Sequence, residues 1–214
     1  MPDAGESGPE NPRLHAPAAA RNSAPLLAVL AEILPQRGLF LEIESVSGEH
    51  AAYFATRLPG RSWQPSDPDP TRRASIAAYA KDARAAVQGT DILTPLAIDA
   101  SASGWPLRRA DAVLSVNMIH IAPWAAAQGL LDGAARILPT DGPLILYGPM
   151  KIDGAHTAPS NAEFDKQLRA NNPEWGVRDL DVLDSAAFAS SLERTELIPM
   201  PANNYVVVYR RMVV

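Results

Sequence analysis

Short apolar runs alternate with stretches of helical period through the middle of the chain, and this rhythm constrains the fold more than any other feature of the sequence. The runs that we interpret as strands are Leu39 to Ile43, Ser62 to Pro70, Leu93 to Ala100, Asp111 to His120 and Gly142 to Met150. The helices predicted between them are His50 to Leu58, Arg72 to Val87 and Ala125 to Leu138. Strands joined through helices of about 10 to 15 residues need crossover connections. The pattern therefore predicts an α/β fold, with a mostly parallel sheet covered by helices on both faces.

The two ends of the chain extend this pattern. A helix is predicted from Ala16 to Leu34, where leucines recur on one face. After the fifth strand, helices are predicted over Asn161 to Asn171 and Ser185 to Ser191. Two strand-like runs, "ERTELIPM" and "NNYVVVYRR", then flank a short polar turn, which predicts an antiparallel hairpin at the C-terminus.

Length and composition favour one domain. A chain of 214 residues with 47% hydrophobic content can bury one substantial core. Residues 1–15 are predicted to be a disordered tail, since "MPDAGESGPENP" is rich in proline, glycine and acids. Residues 16–214 form the predicted domain.

Charge and composition restrict the partners. A net charge of −5 argues against broad binding to nucleic acid, because that affinity comes from clustered lysine and arginine. No signal-peptide pattern and no apolar run of about 18 residues is present, so we expect a cytoplasmic protein without a membrane partner. Without cysteines, disulfides and thiolate zinc sites are ruled out. A homodimer stays open.

Polar side chains follow the predicted strands, where an open parallel sheet binds its ligand. Glu42 to Gly48 follow the first strand, Asp67 the second and Asp99 the third. Asp67 is placed to accept two hydroxyls of a ribose, or else to form an Asx turn or helix cap. Asp99 is placed to accept from the amino group of adenine, with an ordinary loop aspartate as the equal alternative.

Histidines give candidate catalytic groups. His120 follows the fourth strand and is a candidate general base or pocket wall, although a histidine in an apolar stretch is more often structural. His156 lies in a loop long enough to cover the crevice, or is simply solvated. Tyr147, near the end of the fifth strand, is a further candidate. We expect no metal site, because the histidines are far apart and no "HExxH" motif is present.

Seven segments together carry a resemblance to a known family. They are "LEI…SGEHA", "WQPSDPDP", "NMIHIAPW", "GPLILYGP", "HTAPSNAEFD", "NPEWGVRDL" and "MPANN". In this order they resemble the methyltransferase-like family called domain of unknown function 938, from about Ala16 to Arg211. The resemblance implies a Rossmann-like class I methyltransferase fold with a seven-stranded sheet, S-adenosylmethionine as cofactor and a small molecule as methyl acceptor.

The resemblance also implies roles for individual residues. Glu42 and Gly48 match the acid and last glycine of the first cofactor loop, Asp67 the ribose-binding acid, and Asp99 the residue beside adenine. Asn117 and His120 fall near the methionine part and the acceptor. Arg21 and Asn22, in "AARNSAP", match a family segment that lines the crevice. If the acceptor must lose a proton, the resemblance makes His120 the first candidate base, before Tyr147 and His156.

The first cofactor loop departs from the family pattern, which is close to "LEIASGTGEHA". Glu44 replaces a small residue and Val46 a glycine. A left-handed backbone at valine would cost roughly 1 to 2 kcal/mol. Two interpretations follow: a methyltransferase with an altered cofactor loop, or a protein of the same fold that has lost methyl transfer. The second would bind a ligand or use Glu44 in other chemistry.

Overall fold

A computed structural model describes residues 11–213, and within them the chain forms one seven-stranded sheet with helices on both faces. The strands of this sheet are β1 (Gly38–Ile43), β2 (Arg61–Pro65), β3 (Asp91–Ile92), β4 (Ala112–Val116), β5 (Pro143–Gly148), β8 (Leu192–Met200) and β9 (Asn204–Arg211). A separate two-stranded hairpin is formed by β6 (Lys151–Ile152) and β7 (Ala155–His156). The α-helices are α1 (Pro17–Ile33), α2 (Glu49–Ala55), α3 (Pro70–Ala86), α4 (Trp124–Ile137), α5 (Pro159–Asn171) and α6 (Leu180–Ala189).

The strand order confirms the predicted fold class. The sheet runs β3-β2-β1-β4-β5-β9-β8, and the first five strands are parallel. β9 pairs antiparallel with both β5 and β8, which is the predicted hairpin. One apolar cluster packs on each face of the sheet. Leu41, Val113 and Leu144 belong to one, and Phe40, Leu114 and Ile145 belong to the other.

The predicted third strand, Leu93 to Ala100, is corrected by the structure. Regular pairing with β2 is confined to Asp91–Ile92, and beyond it an isolated bridge joins Ser66, just after β2, to Leu96. Pro65 and Pro95 explain the interruption, because proline has no amide hydrogen to donate to a ladder. The fourth predicted strand is also shorter than expected, since a 3₁₀ turn at Met118–His120 follows β4.

The first described residues lie against α2 and α3. Arg13 forms an ion pair with Asp82, and the amide of Leu14 donates to Ser75 Oγ over 2.8 Å. His15 Nδ1 lies 2.8 Å from Glu49 Oε1. Most of the predicted tail, residues 1–10, lies outside the described residues. Across residues 11–213, no helix combines the length and apolarity that a bilayer span needs.

Candidate functional site

The candidate site lies at the carboxyl ends of the parallel strands, where β1 and β4 are neighbours. The chain leaves β1 towards β2 and β3 on one side, and leaves β4 towards β5 on the other. Such a reversal of strand order opens a crevice between the loops that follow the two strands. The loop after β1 and Asn117, after β4, border it.

The loop after β1 has a strained backbone. Glu44, Val46 and Gly48 all have positive φ angles, of 55°, 51° and 92°. The amide of Ser45 donates to the carbonyl of Ser66 over 2.8 Å, which fixes the loop to the end of β2. Glycine at position 48 has a packing reason as well, because a Cβ there would lie 2.6 Å from the Cα of Ile76. Glu44 and Val46 thus have left-handed backbone angles, which residues with a Cβ disfavour.

Glu42 lies at the end of β1, just before this loop. Its side chain is buried, and Oε2 accepts a hydrogen bond of 3.0 Å from Trp63 Nε1. Burial raises the pKa of Glu42 to about 7, although the bond from Trp63 works against the shift. Glu42 lines neither of the two cavities described below.

Asp67 is fully buried beneath the same loop. One carboxylate oxygen accepts from the amide of Val46 over 3.2 Å, and the other accepts from the amide of Asp69 over 3.0 Å. Arg72 Nη1 lies 3.7 Å from the carboxylate. In this structure Asp67 holds the loop to the start of α3. Its predicted ribose contact requires the loop to move, because the carboxylate is fully buried.

Glu44 stands among other carboxylates. Burial, and secondarily the negative charge of Asp67, raises the pKa of Glu44 to about 7, while Arg72 opposes the shift. The charge of Asp99 adds to it. The Asp99 carboxylate is exposed and accepts bonds of 2.9 Å and 2.6 Å from the amide and hydroxyl of Ser101. That is the geometry of an Asx turn, and the side chain remains accessible beside the crevice.

Two cavities adjoin each other at the crevice. The first, which we call the loop cavity, has a volume of about 180 Å³ and lies between α1, residues 44–47, His50 and the end of β4. Val46 and Ile121 form apolar parts of its wall and are 38% and 42% exposed. Glu44 is the acidic residue that lines it.

The second cavity, which we call the arginine cavity, measures about 250 Å³. It lies between α1, the ends of β4 and β5, and the turn between β8 and β9. Arg21 and Tyr147 are among its lining residues. Ala18, Asn22 and Asn117 line both cavities, so they form the shared wall.

Asn22 connects His50 to the shared wall of the two cavities. His50 Nε2 lies 2.6 Å from Asn22 Oδ1, and Asn22 and Tyr147 both line the arginine cavity. Burial lowers the pKa of His50 to about 4, so the ring is neutral near pH 7 and Nε2 must carry the hydrogen that Asn22 accepts. Sequence reasoning missed His50. Its signal was the position two residues after Gly48, at the start of α2, where its ring stacks on Phe54.

His120 lies in neither cavity. The side chain is fully buried, and burial lowers its pKa to about 3. Its Nε2 has no hydrogen-bond partner among residues 11–213, and a Cβ at Gly148 would lie 2.5 Å from that atom. Gly176 donates its amide to the His120 carbonyl. A role as general base stays a prediction that would require the segment at 172–178 to move.

His156 is placed with an ionic cluster outside the crevice. Asp165 is the centre of this cluster, with His156 Nε2 at 3.3 Å, Lys151 Nζ at 3.2 Å and Arg169 Nε at 3.2 Å. Burial alone would raise the pKa of Asp165, but hydrogen bonds from the Val177 amide and from Lys151 outweigh it and lower that pKa. The cluster fastens the β6–β7 hairpin to α5. His156 lines neither cavity, and no set of three metal-ligating side chains occurs in the described part of the chain.

Comparison with known proteins places this geometry in context. The family model described as "Protein of unknown function (DUF938)" matches residues 13–211. Among solved structures, an O-methyltransferase family protein from Burkholderia thailandensis has a TM-score of 0.71 at 18% identity, with 91% of this chain and 57% of that chain covered. An O-methyltransferase family 2 protein from Planctomyces limnophilus, in complex with apigenin, has a TM-score of 0.73 at 18% identity, with 91% and 60% covered.

Human N-acetylserotonin methyltransferase, solved in complex with SAM, has a TM-score of 0.73 at 13% identity, with 92% of this chain and 53% of that chain covered. At these identities the likeness shows the fold. The chain spans little more than half the length of these solved proteins.

Proposed function

This chain belongs to the DUF938 family of proteins of unknown function, and from that premise we propose that it is a methyltransferase that uses S-adenosylmethionine to methylate a small molecule. The observation that carries the proposal is the crevice between the loops after β1 and β4, with its turned loop over residues 44–48. In sheets of this kind, the crevice at the reversal of strand order takes the nucleotide-bearing ligand. The solved proteins of the same fold that are named methyltransferases support this reading.

Different residues would contact the amino-acid end and the nucleoside end of such a cofactor. The amides of Asn22 and Asn117 and the backbone of residues 44–48 would hold the amino-acid end in the loop cavity. The exposed Asp99 lies on the side of β2 and β3, where it would accept from the nucleoside. The loop cavity alone, at about 180 Å³, is smaller than usual ligand sites of about 300 to 1,000 Å³. Binding therefore requires the partly exposed Val46 on its wall to move outwards.

The chain itself supplies positioning and proton handling. S-adenosylmethionine, when bound, would supply a methyl group activated by a sulfonium: a lone pair of the acceptor would form a bond to the methyl carbon while the carbon–sulfur bond breaks, and S-adenosylhomocysteine would leave. Holding the acceptor in line with that methyl group is the main catalytic task. Tyr147 and His50 lie on either side of Asn22, and Tyr147 faces the arginine cavity where the acceptor would bind. If the acceptor must lose a proton, neutral His50 lies at the loop cavity and is nearer to the site than His120, whereas Tyr147 keeps its own hydrogen because burial raises its pKa.

Calorimetric titration with S-adenosylmethionine and S-adenosylhomocysteine tests the proposal. We expect wild-type protein to bind both ligands. The double variant Glu44→Ala, Val46→Gly should bind them more tightly. The first change removes like-charge repulsion near the cofactor's carboxylate, and the second removes the cost of a positive φ angle at valine. Glu32→Ala, an exposed change on α1, is the matched control and should bind as the wild type does. If neither wild type nor the double variant binds, the site assignment is wrong.

A second candidate function is favoured by specific observations at the same loop. Both oxygens of Asp67 are already bonded to amides, and the pKa of Glu44 is raised to about 7 beside the crevice. A protein that has lost methyl transfer would serve as a ligand-binding module, or use Glu44 as an acid or base of other chemistry. Binding that is absent in wild type and appears only in the double variant would support this alternative.

The acceptor in this proposal is a small molecule, because the arginine cavity measures about 250 Å³. The net charge of −5 disfavours a nucleic acid. A cytoplasmic location and a homodimer complete the proposal, and sedimentation velocity would test the homodimer.

A further inference from the structure

The arginine cavity has the charge of an anion-binding site in an acidic protein. No aspartate or glutamate lines it, whereas Arg21 does, in a chain whose net charge is −5. Its other polar lining residues are amides and one phenol: Asn22, Asn117, Tyr147 and Asn204. This composition separates it from the loop cavity, which Glu44 lines.

Arg21 is available to a ligand. Its side chain is exposed, and it forms no hydrogen bond or ion pair with any residue from 11 to 213. Other arginines near the sheet are engaged by backbone carbonyls: Arg178 binds those of Ile119 and Ala122, and Arg211 binds that of Ala135. The helix α1 fixes the backbone of Arg21, so the guanidinium reaches the cavity mouth without ordering a loop.

The Tyr147 hydroxyl is a second donor. Tyr147 lines the cavity, its hydroxyl forms no hydrogen bond with another residue from 11 to 213, and the oxygen of the neighbouring Asn22 already accepts from His50. The hydroxyl hydrogen of Tyr147 is then free for a ligand. Burial raises the pKa of Tyr147, which keeps this hydrogen in place at neutral pH. The cavity therefore offers a guanidinium and a hydroxyl that both donate.

We propose that the arginine cavity binds a small carboxylic acid, whose carboxylate accepts from Arg21 and from the Tyr147 hydroxyl. One guanidinium matches one monoanion, and a carboxylate fits its fork with two parallel bonds. A phosphate dianion would leave charge uncompensated, because no second cation lines the cavity. Pro25, Pro201 and Ala202 supply apolar wall for a ring or short aliphatic body. Resting on the proposed function, this acid is the methyl acceptor, and its carboxylate is the anchor.

Binding of benzoate, with the neutral and nearly isosteric benzamide as comparison, tests the proposal by calorimetry or ligand-observed NMR without any cofactor. We expect benzoate to bind wild type at least tenfold more tightly than benzamide. Arg21→Gln should weaken benzoate about tenfold or more and leave benzamide unchanged, since a charge-assisted bond is lost. Arg21→Lys should retain part of the affinity. Tyr147→Phe should weaken benzoate severalfold.

Arg108→Gln is the matched control, because Arg108 is equally exposed but precedes β4, at the opposite edge of the sheet from the crevice. It should bind benzoate as wild type does. Circular dichroism checks that each variant is folded. Equal affinity for benzoate and benzamide, no benzoate binding, an equal loss in Arg108→Gln, or tighter binding of inorganic phosphate would each overturn the proposal. Because no cofactor is present, the outcome is independent of the titration with S-adenosylmethionine.

Discussion

At the residue scale, Val46 shows a conflict between side chain and backbone. Its φ of 51° lies in the left-handed region, which β-branched residues disfavour. The side chain gains little in return, since it is 38% exposed at the edge of the loop cavity. The turn is nevertheless kept, because the Val46 amide donates to Asp67 and the Ser45 amide donates to Ser66.

Val46→Gly should therefore raise the free energy of unfolding by about 1 kcal/mol, because glycine adopts positive φ without the Cβ penalty. Urea denaturation measures the change. Val182→Gly is the control: that valine is exposed within α6, where glycine should lower the free energy of unfolding by roughly 1 kcal/mol. A loss of similar size at both positions would show that the loop is not strained.

The residue scale is also where sequence reasoning was weakest. Asp67 and His120 follow strands and Glu42 lies at the end of β1, but each is buried and lines neither cavity. A strand end fixes the position of a backbone, while the direction of the side chain depends on contacts with distant segments such as 172–178. Arg21, Asn22 and Asn117 line the arginine cavity, and the roles that the family resemblance implies for them stay predictions.

At the scale of elements, periodicity predicted the order of helices and strands because that signal is local. Apart from β3, each helix and strand of the main sheet was anticipated to within five residues. The largest differences are β2, which was predicted to run to Pro70 and ends at Pro65, and α6, which begins at Leu180 instead of Ser185. Pairing in β3 depends on Pro65 in a neighbouring strand, which the pattern of a single segment does not reveal. The β6–β7 hairpin was missed for a similar reason, since its strands are two residues each and Asp165 holds them in place.

Packing of α4 provides a test at this scale. A Cβ at Gly129 would overlap the backbone carbonyl of Ala100, which cannot rotate away. Gly129→Ala should therefore lower the free energy of unfolding by roughly 1 to 3 kcal/mol, although alanine is the better helix former. Thermal or urea denaturation would measure this loss.

Gly104→Ala is the matched control in the neighbouring loop, because a Cβ there meets no atom within 4 Å. It should be neutral within about 0.5 kcal/mol. Stabilisation by Gly129→Ala would mean that α4 and the loop at 100–105 are not in close contact.

At the scale of the whole molecule, buried acids and histidines act on stability in opposite directions. The pKa of Glu42 and of Glu44 is raised to about 7, so their contribution to stability is present below pH 4.5 and is lost as pH rises through 7. The pKa values of His50 and His120 are lowered to about 4 and about 3, so their contribution is present above pH 6.5 and is lost as pH falls. Between pH 4.5 and 6.5 the two effects offset each other.

We expect the free energy of unfolding to be nearly constant across that interval and to fall on either side of it. In Glu42→Gln the free energy of unfolding should instead fall as pH is lowered from 6.5 to 4.5. Only Glu44 then offsets the loss of stability that the two histidines cause. Denaturant titrations at several pH values measure the slope. Glu32→Gln, on the exposed face of α1, should leave it level. A wild-type slope as steep as that of Glu42→Gln would contradict the opposition of acids and histidines.

The wall shared by the two cavities has a thermodynamic consequence. Asn22 and Asn117 each carry a side-chain amide whose oxygen accepts and whose nitrogen donates hydrogen bonds. If a ligand in one cavity turns such an amide, a ligand in the other cavity faces a donor in place of an acceptor, or the reverse. Binding in the loop cavity and binding in the arginine cavity are then linked. If a ligand in one cavity changes the affinity of the other cavity by some factor, the second ligand changes the affinity for the first by the same factor. The size of this coupling depends on the two asparagines, and it favours neither order of binding.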